Sequence, residues 1–388
     1  MNERLTRRSV LHTTGTLLAA SIIPRANSAP KSATYLMYVG TYTGPNSKGI
    51  YAFRFDPKSG KTESIGLAGE VVNPSFVALH PNGQLLYAVS ELGNDGKTNG
   101  AVTAFAIDRK TGMLTKLNSV SSGGGGSCHL VVDHTGKMLI VANYGSGSVA
   151  SFPVGADGRI GELKSLMKHT GSGPDRARQR GPHTHGAFVS PDNRFVVIPD
   201  LGLDQIWVYK IDPATAQLTE NDPPFVSVKP GSGPRHFTFS PNGKFAYVVQ
   251  EMGSMVTAFS YNAAKGTLIE LQQTSTLPAD FKGQDNSAEI GIDPKGRFLY
   301  ASNRGHDSIA EFAIDPKKGT LRLVEITLTQ GKIPRNFKLD PTGRYLFAAN
   351  QKSNNIVVFH VDPKSGKMTP AHQVLDAPAP VCIEFLPA

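Results

Sequence analysis

Histidine, arginine and glutamate recur at three fixed positions relative to a turn that is repeated along the chain. The turn residues are Gly83, Gly136, Asn193, Gly243, Gly296 and Gly343. Eight residues before them the chain has Ser75, Cys128, His185, Arg235, Ala288 and Arg335, and the next position holds Phe76, His129, Gly186, His236, Glu289 and Asn336. Eight residues after the turn come Glu91, Tyr144, Leu201, Glu251, Arg304 and Gln351. If each turn joins two antiparallel strands, the residues before the turn and those after it lie at the same end of the hairpins. We therefore expect these side chains to gather in one place.

Such a cluster predicts acid–base chemistry on an anionic substrate. A histidine or a glutamate can act as the general base, and arginines can hold a developing oxyanion or bind a phosphate or carboxylate. Charged groups at a narrow mouth must be desolvated and paired, which is costly for stability. The cluster therefore indicates a functional site.

Each candidate also has a structural interpretation. Arg235 and Arg335 follow prolines and could tie neighbouring repeats together through backbone carbonyls, and Glu251 could be the partner of one of these arginines. Of His183 and His185 in the segment GPHTHG, one is expected to serve the site and the other to pack. The candidate site residues are His129, His183, His185, His236, Glu91, Glu251, Arg235, Arg304 and Arg335.

The elements that position these residues follow from the repeat. Successive turn residues lie 53, 57, 50, 53 and 47 residues apart, a period typical of β-propeller blades. Seven polar hairpins recur, around Gly60, Gly112, Gly158, Ala216, Gly266, Gly319 and Gly366. Only six inner hairpins are present, so residues 35–56 and 380–388 must complete the seventh blade together. The sequence thus predicts an all-β, seven-bladed propeller over residues 35–388, closed by its two terminal strands.

Residues 1–29 have the features of an export signal. The segment TRRSVL precedes a mildly apolar stretch and then small residues, and its arginine pair is typical of the twin-arginine route. The alternative is a disordered basic tail. We expect an exported, periplasmic protein. The sequence has no run of 18 apolar residues, so we expect no membrane span.

Composition limits the partners. The net charge is +9, and the first 29 residues contribute four arginines and one glutamate to it. The lysines in the rest of the chain are scattered, which argues against a basic stripe that would bind nucleic acid. Cys128 and Cys382 fall in blades separated by another blade, so we expect two free, buried thiols. No spacing resembles a zinc site, and we expect no metal or other cofactor and a monomer.

The quoted motifs resemble one family specifically. GPHTHG, GPRHFTFSPNGKFAYVVQE, SNRGHDSIAEF and the leading YVGTYT are similar to the lactonase family of seven-bladed propellers, which includes bacterial 6-phosphogluconolactonases and carboxy-muconate cyclases. The resemblance covers residues 35–388. It implies a site of one histidine, two arginines and one glutamate, which fall on His185 (or His183), Arg235, Glu251 and Arg304.

The resemblance implies hydrolysis of a small anionic sugar lactone, 6-phospho-D-glucono-1,5-lactone, without a metal. An export signal favours instead an unphosphorylated lactone outside the cytoplasm. A cyclase that forms lactones and a binding propeller without catalysis are two further alternatives.

Overall fold

The computed structural model describes residues 34–388, which contain 28 strands and no helix. The strands form seven four-stranded antiparallel sheets, which confirms the predicted propeller. From the innermost strand outwards, blade 1 is β28 (Pro380–Pro387), β1 (Tyr35–Thr41), β2 (Gly49–Phe55) and β3 (Thr62–Glu70); blade 2 is β4 (Val77–Leu79), β5 (Leu85–Ser90), β6 (Ala101–Ile107) and β7 (Leu114–Ser121); blade 3 is β8 (Ser127–Val132), β9 (Met138–Asn143), β10 (Ser148–Pro153) and β11 (Ser165–Lys168).

The other four blades follow in chain order. Blade 4 is β12 (Phe188–Val189), β13 (Phe195–Asp200), β14 (Gln205–Asp212) and β15 (Gln217–Ser227); blade 5 is β16 (Pro234–Phe239), β17 (Phe245–Gln250), β18 (Met255–Asn262) and β19 (Thr267–Ser275); blade 6 is β20 (Asn286–Ile292), β21 (Phe298–Arg304), β22 (Ser308–Ile314) and β23 (Leu321–Leu328); blade 7 is β24 (Pro334–Leu339), β25 (Tyr345–Asn350), β26 (Asn355–Val361) and β27 (Met368–Asp376).

The two terminal strands close the ring as predicted. β28 pairs with β1 in antiparallel register, with Leu36 opposite Leu386 and Val39 opposite Ile383. The pairing gives blade 1 its innermost strand, so the edge of β1 is covered.

Apolar side chains pack between neighbouring blades, because each sheet buries both faces against the next one. Buried tyrosines add hydrogen bonds across these interfaces: the Tyr87 hydroxyl donates to the Gly158 carbonyl at 3.0 Å, and the Tyr247 hydroxyl donates to the Gly319 carbonyl at 3.0 Å. The polar hairpins, of which each blade has one, therefore also connect neighbouring blades.

The repeated turns lie at one end of the central channel. The carboxylates of Asp133, Asp293 and Asp340, which come before the turns, accept backbone N–H groups; Asp293 Oδ1, for example, accepts from Phe298 N at 2.8 Å. Asn193 adopts the left-handed conformation (φ 57°) where the other turns use glycine. These bonds fix the register of each hairpin. They therefore also fix the positions of the residues that lie eight places before and after the turn residue.

Both cysteines are free and buried, as predicted. No helix able to span a membrane occurs in residues 34–388. The export signal predicted at residues 1–29 lies outside the described residues.

Candidate active site

A cavity of about 370 Å³ lies at the channel mouth opposite the repeated turns. It is lined by Tyr42, Glu91, Asn94, Cys128, Tyr144, Arg178, His185, Glu251, Asn286, Arg304 and Arg335. Five of the nine residues predicted for the site, namely Glu91, His185, Glu251, Arg304 and Arg335, lie in its wall. They come from five different blades, so the ring of blades is what brings them together.

Glu251, which directly follows β17, is surrounded by guanidinium groups. Its Oε1 lies 2.6 Å from Arg178 Nη2, and its Oε2 lies 2.9 Å from Arg304 Nη2 and 3.1 Å from Arg235 Nε. Burial raises the pKa of this carboxyl, but Arg304, Arg235 and Arg178 outweigh that effect and lower it to about 2. Glu251 is therefore an anion at neutral pH and a weak base, which suits it to anchoring charge.

His185 lies beside this carboxylate. Its Nε2 is 3.8 Å from Glu251 Oε2, and its Nδ1 is 3.8 Å from Cys128 Sγ. Burial, and then the charge of Arg235, lower the pKa of His185 well below its usual value of 6.5. The imidazole is therefore neutral at pH 7 and can accept a proton, and the neighbouring carboxylate would stabilise the imidazolium that forms.

His183, two residues earlier, does not line the cavity. Its ring stacks on Tyr144 with centroids 4.3 Å apart, and its Nδ1 lies 2.8 Å from the Tyr144 carbonyl oxygen. Its backbone N–H donates to Asp200 Oδ1 at 2.8 Å. Of the two histidines in the motif, His185 faces the site and His183 supports Tyr144 in the cavity wall.

Arg235 lies behind the wall and is 2 % exposed. Its Nη1 donates to the Ala288 carbonyl of the next blade at 2.6 Å. Its Nε lies 3.1 Å from Glu251 Oε2, close enough for an ion pair, but the two atoms do not have the geometry of a hydrogen bond. The structure therefore gives Arg235 the blade-tying role that the sequence left open. It acts on the cavity through Glu251.

Arg304 and Arg335 line the cavity itself. Arg304 Nε donates to the Asn286 carbonyl at 3.0 Å, which fixes its guanidinium beside Glu251. The guanidinium of Arg335 stands 5.4 Å from the ring centroid of Tyr42 and has no hydrogen-bond acceptor and no carboxylate within 4.0 Å among residues 34–388. Its donors are thus available to an anion.

Glu91 organises the side of the cavity near Arg335. Its Oε2 accepts from the Tyr42 hydroxyl at 2.8 Å, and its Oε1 accepts from Asn94 Nδ2 at 3.3 Å. Glu91 is 8 % exposed, so it holds two wall residues in place in addition to lining the cavity.

His129 and His236 do not reach this mouth, contrary to the sequence prediction. His129 lines a second cavity that opens at the turn end, and the Nδ1 of His236 lies 3.0 Å from Glu289 Oε1. The reason is a β-bulge at the start of the innermost strands: Ser127 pairs with Asn143 and His129 with Ala142, which leaves Cys128 as an extra residue. The extra residue lines the mouth, and the next residue faces further along the channel.

Four further wall residues were not predicted from the sequence, namely Tyr42, Asn94, Arg178 and Asn286, and no role was predicted for Tyr144. Arg178 belongs to the long connection between β11 and β12, outside the repeat, and its Nη2 also lies 3.4 Å from the Tyr144 hydroxyl. Tyr42 follows the closing strand β1. Both lie outside the counted positions, and only the arginine-rich letters PDRARQR could have drawn attention to Arg178.

The charges around the cavity favour an anionic ligand. Four guanidinium groups, from Arg178, Arg235, Arg304 and Arg335, face two carboxylates, from Glu91 and Glu251. No group of three or more histidine, cysteine, aspartate or glutamate side chains that could hold a metal ion occurs in the part of the chain that the structure describes. A neutral histidine beside an anchored carboxylate, with fixed cations around it, can activate water and stabilise an oxyanion.

Comparisons with known proteins match the chain over nearly its whole described length. The family model for "Lactonase, 7-bladed beta-propeller" matches residues 36–385. The 6-phosphogluconolactonase of Bacillus subtilis (strain 168) is 40% identical over 352 residues, which cover 91% of this chain and 98% of that protein. The 6-phosphogluconolactonase of Formosa agariphila is 39% identical over 309 residues, covering 78% and 86%. The solved structure of a periplasmic gluconolactonase from Pseudomonas aeruginosa superposes with a TM-score of 0.86 at 35% identity, covering 91% of this chain and 99% of that one.

Proposed function

We propose that this chain, which belongs to the family of seven-bladed β-propeller lactonases, hydrolyses 6-phospho-D-glucono-1,5-lactone to 6-phosphogluconate. The observation that carries the proposal is the excess of guanidinium groups over carboxylates, with no carboxylate within 4.0 Å of the Arg335 guanidinium among residues 34–388. A phosphate monoester carries a charge of about −1.5 to −2, which matches that excess. The names of the relatives from Bacillus subtilis and Formosa agariphila support the same substrate.

Three residues of the site, His185, Glu251 and Arg304, divide the steps of the proposed reaction. His185 takes a proton from water as its oxygen attacks the lactone carbonyl carbon, and Glu251 stabilises the resulting imidazolium from 3.8 Å. Arg304 stabilises the oxyanion of the tetrahedral intermediate. When the carbon–oxygen bond of the ring breaks, the departing ring oxygen takes the proton from His185, and the new carboxylic acid ionises in water.

Arg335 is the proposed phosphate ligand, and its replacement should change substrate preference. A charged hydrogen bond contributes about 1.5–3 kcal/mol, so Arg335→Met should lower kcat/KM for the phosphorylated lactone roughly 10- to 150-fold. The same variant should change kcat/KM for plain glucono-1,5-lactone less than threefold. The two substrates are compared side by side, with and without chelator, on purified protein.

Arg335→Lys is the matched control, because it keeps the charge and loses the bidentate geometry; it should fall between wild type and Arg335→Met. An equal loss on both lactones would refute the phosphate role. Wild-type preference for the plain lactone would instead favour the second candidate function, hydrolysis of an unphosphorylated lactone outside the cytoplasm. The likeness to the periplasmic gluconolactonase of Pseudomonas aeruginosa favours that candidate. Absence of activity on both would favour the cyclase or the binding propeller.

We also propose that the protein is a monomer exported to the periplasm through residues 1–29. Replacing both Arg7 and Arg8 by lysine should keep the precursor in the cytoplasm, because the twin-arginine pair is read by a receptor and not only as charge. Cell fractionation and immunoblotting measure the distribution. Replacing Arg4 alone by lysine is the control and should leave export unchanged; normal export of the double variant would exclude the twin-arginine route.

A further inference from the structure

Arg178 brings to the mouth a guanidinium group that the repeat does not supply. It lies in the connection between β11 and β12, and its side chain lines the cavity and is 37 % exposed. The side chains of Arg235 and Arg304 are 2 % and 12 % exposed. Of the three arginines around Glu251, Arg178 is therefore the most open to a ligand in the cavity.

Most donors of Arg178 have no protein acceptor. Its Nη2 lies 2.6 Å from Glu251 Oε1 and 3.4 Å from the Tyr144 hydroxyl oxygen. Its Nε and Nη1 have no hydrogen-bond acceptor among residues 34–388. Because a guanidinium group carries N–H donors on each of its nitrogens, those on Nε and Nη1 can bind a ligand.

Arg304, the oxyanion ligand of the proposed reaction, has fewer donors left. Its Nε donates to the Asn286 carbonyl at 3.0 Å, and its Nη2 lies 3.2 Å from the Ser287 carbonyl oxygen and 2.9 Å from Glu251 Oε2. Within the described part of the chain, only its Nη1 has no acceptor. Oxyanion sites commonly combine more than one donor. A second ligand of the oxyanion is therefore expected near Arg304.

Arg178 and Arg304 are held by the two oxygens of one carboxyl group. Arg178 is paired with Glu251 Oε1 and Arg304 with Oε2, the oxygen that lies 3.8 Å from His185 Nε2. The two guanidinium groups and the proposed base therefore surround the same carboxylate. Arg335, the other arginine of the cavity wall, lies more than 4.0 Å from this carboxylate. Arg178 is thus better placed than Arg335 to share the oxyanion with Arg304.

A buried glutamine fixes the backbone that carries Arg178. Gln179 is fully buried; its Nε2 donates to the Leu201 carbonyl at 2.8 Å, and its Oε1 accepts from the Asp175 N–H at 3.1 Å. Asp175 Oδ1 in turn accepts from the Arg178 N–H at 3.0 Å. Leu201 directly follows β13, and its N–H donates to the His183 carbonyl at 2.9 Å. Gln179 therefore ties the loop of Arg178 to the blade that carries the histidine motif.

We propose that Arg178 is a second oxyanion ligand of the lactone site and that Gln179 is the positioning residue that holds it there, an inference that rests on the proposed function. As the water oxygen bonds to the carbonyl carbon and His185 takes the proton, the π electron pair of the carbonyl moves to its oxygen, which Arg178 and Arg304 bind. When the bond from this carbon to the ring oxygen breaks, the carbonyl re-forms and the ring oxygen takes the proton from His185. The charge develops on the lactone carbonyl, so the role of Arg178 does not depend on a phosphate.

Arg178→Met tests the oxyanion role. Removing one oxyanion donor typically costs about 10²–10³ in turnover, so kcat should fall roughly 100-fold, by the same factor on each lactone, phosphorylated or plain, that the wild type hydrolyses. Arg178→Lys keeps the charge with fewer donors and should fall between wild type and Arg178→Met. The acid limb of kcat/KM should keep its position, because Arg304 and Arg235 still hold Glu251 as an anion.

The matched control is Arg176→Met, the same substitution at an exposed arginine of the same connection that does not line the cavity. It should leave kcat within about twofold, as is usual for a surface position. A thermal melt on each preparation shows that the variants are folded, and we expect all three to melt with the wild type.

A double-mutant cycle tests the role of Gln179. Gln179→Leu keeps the size of the side chain and removes its hydrogen bonds, so it should lower kcat roughly tenfold in the wild-type background, if it acts by holding Arg178. In the Arg178→Met background it should lower kcat less than about twofold, because the group that it holds is gone. A loss caused by general loosening of the fold would be the same in both backgrounds.

Four results would overturn the inference: an unchanged kcat in Arg178→Met, a loss confined to the phosphorylated lactone, an equal loss in Arg176→Met, or an acid limb that moves towards neutral pH. The second would make Arg178 a phosphate ligand, and the last would mean that it acts only through the charge of Glu251. An equal effect of Gln179→Leu in both backgrounds would refute its positioning role. All of these leave wild-type hydrolysis intact, whereas a wild type inactive on both lactones would refute the proposed function and this inference together.

Discussion

His185→Ala should reduce turnover of the phosphorylated lactone at least 100-fold, which is typical of removing a general base. Among residues 34–388, His185 is the one histidine in the wall of the mouth cavity, and the carboxylate that would stabilise its protonated form lies 3.8 Å away. The melting temperature should change little, because within the described part of the chain the ring makes no hydrogen bond shorter than 3.8 Å that could be lost. Steady-state kinetics and a thermal melt on the same preparation measure both quantities.

The control is His183→Ala in the same motif. It removes the ring stacked on Tyr144, so we expect only a several-fold loss of turnover. The acid limb of kcat/KM should lie well below pH 6.5, since the pKa of His185 is lowered and the neutral form is the active one. Equal losses in both variants, or an acid limb above pH 6.5, would exclude His185 as the base.

Deleting residues 380–388 should abolish soluble folding. The deletion removes β28, whose Val381, Cys382, Ile383, Phe385 and Leu386 are all buried. At about 1.5–3 kcal/mol for each side chain, the loss is roughly 8–15 kcal/mol, as large as the whole stability of a typical domain. Expression in the soluble fraction and a denaturant melt measure the effect.

Removing only Ala388, which is exposed, is the matched control and should leave solubility and the melt unchanged. A soluble, cooperatively unfolding protein that lacks residues 380–388 would show that the pairing of β28 with β1 is not needed for closure.

The fold could be predicted from the sequence because a propeller is a repeat. A turn residue recurring about every 50 positions sets the hairpin register, and seven polar hairpins against six inner ones require the termini to complete a blade. Counting eight residues from the turns also identified Glu91, His185, Glu251, Arg304 and Arg335, because antiparallel pairing carries a local count to one end of every blade.

Only the tertiary structure decided how these candidates divide between two cavities. The bulge at the start of the innermost strands puts Cys128 in the mouth and His129 in the second cavity, and a count from the turn cannot detect an inserted residue. Arg178 comes from a connection outside the repeat, so its contact with Glu251 depends on how that loop crosses the mouth. The low pKa of Glu251, and with it the choice of His185 as the base, follows from three guanidinium groups that come from separate parts of the chain and meet only when the ring of blades is closed.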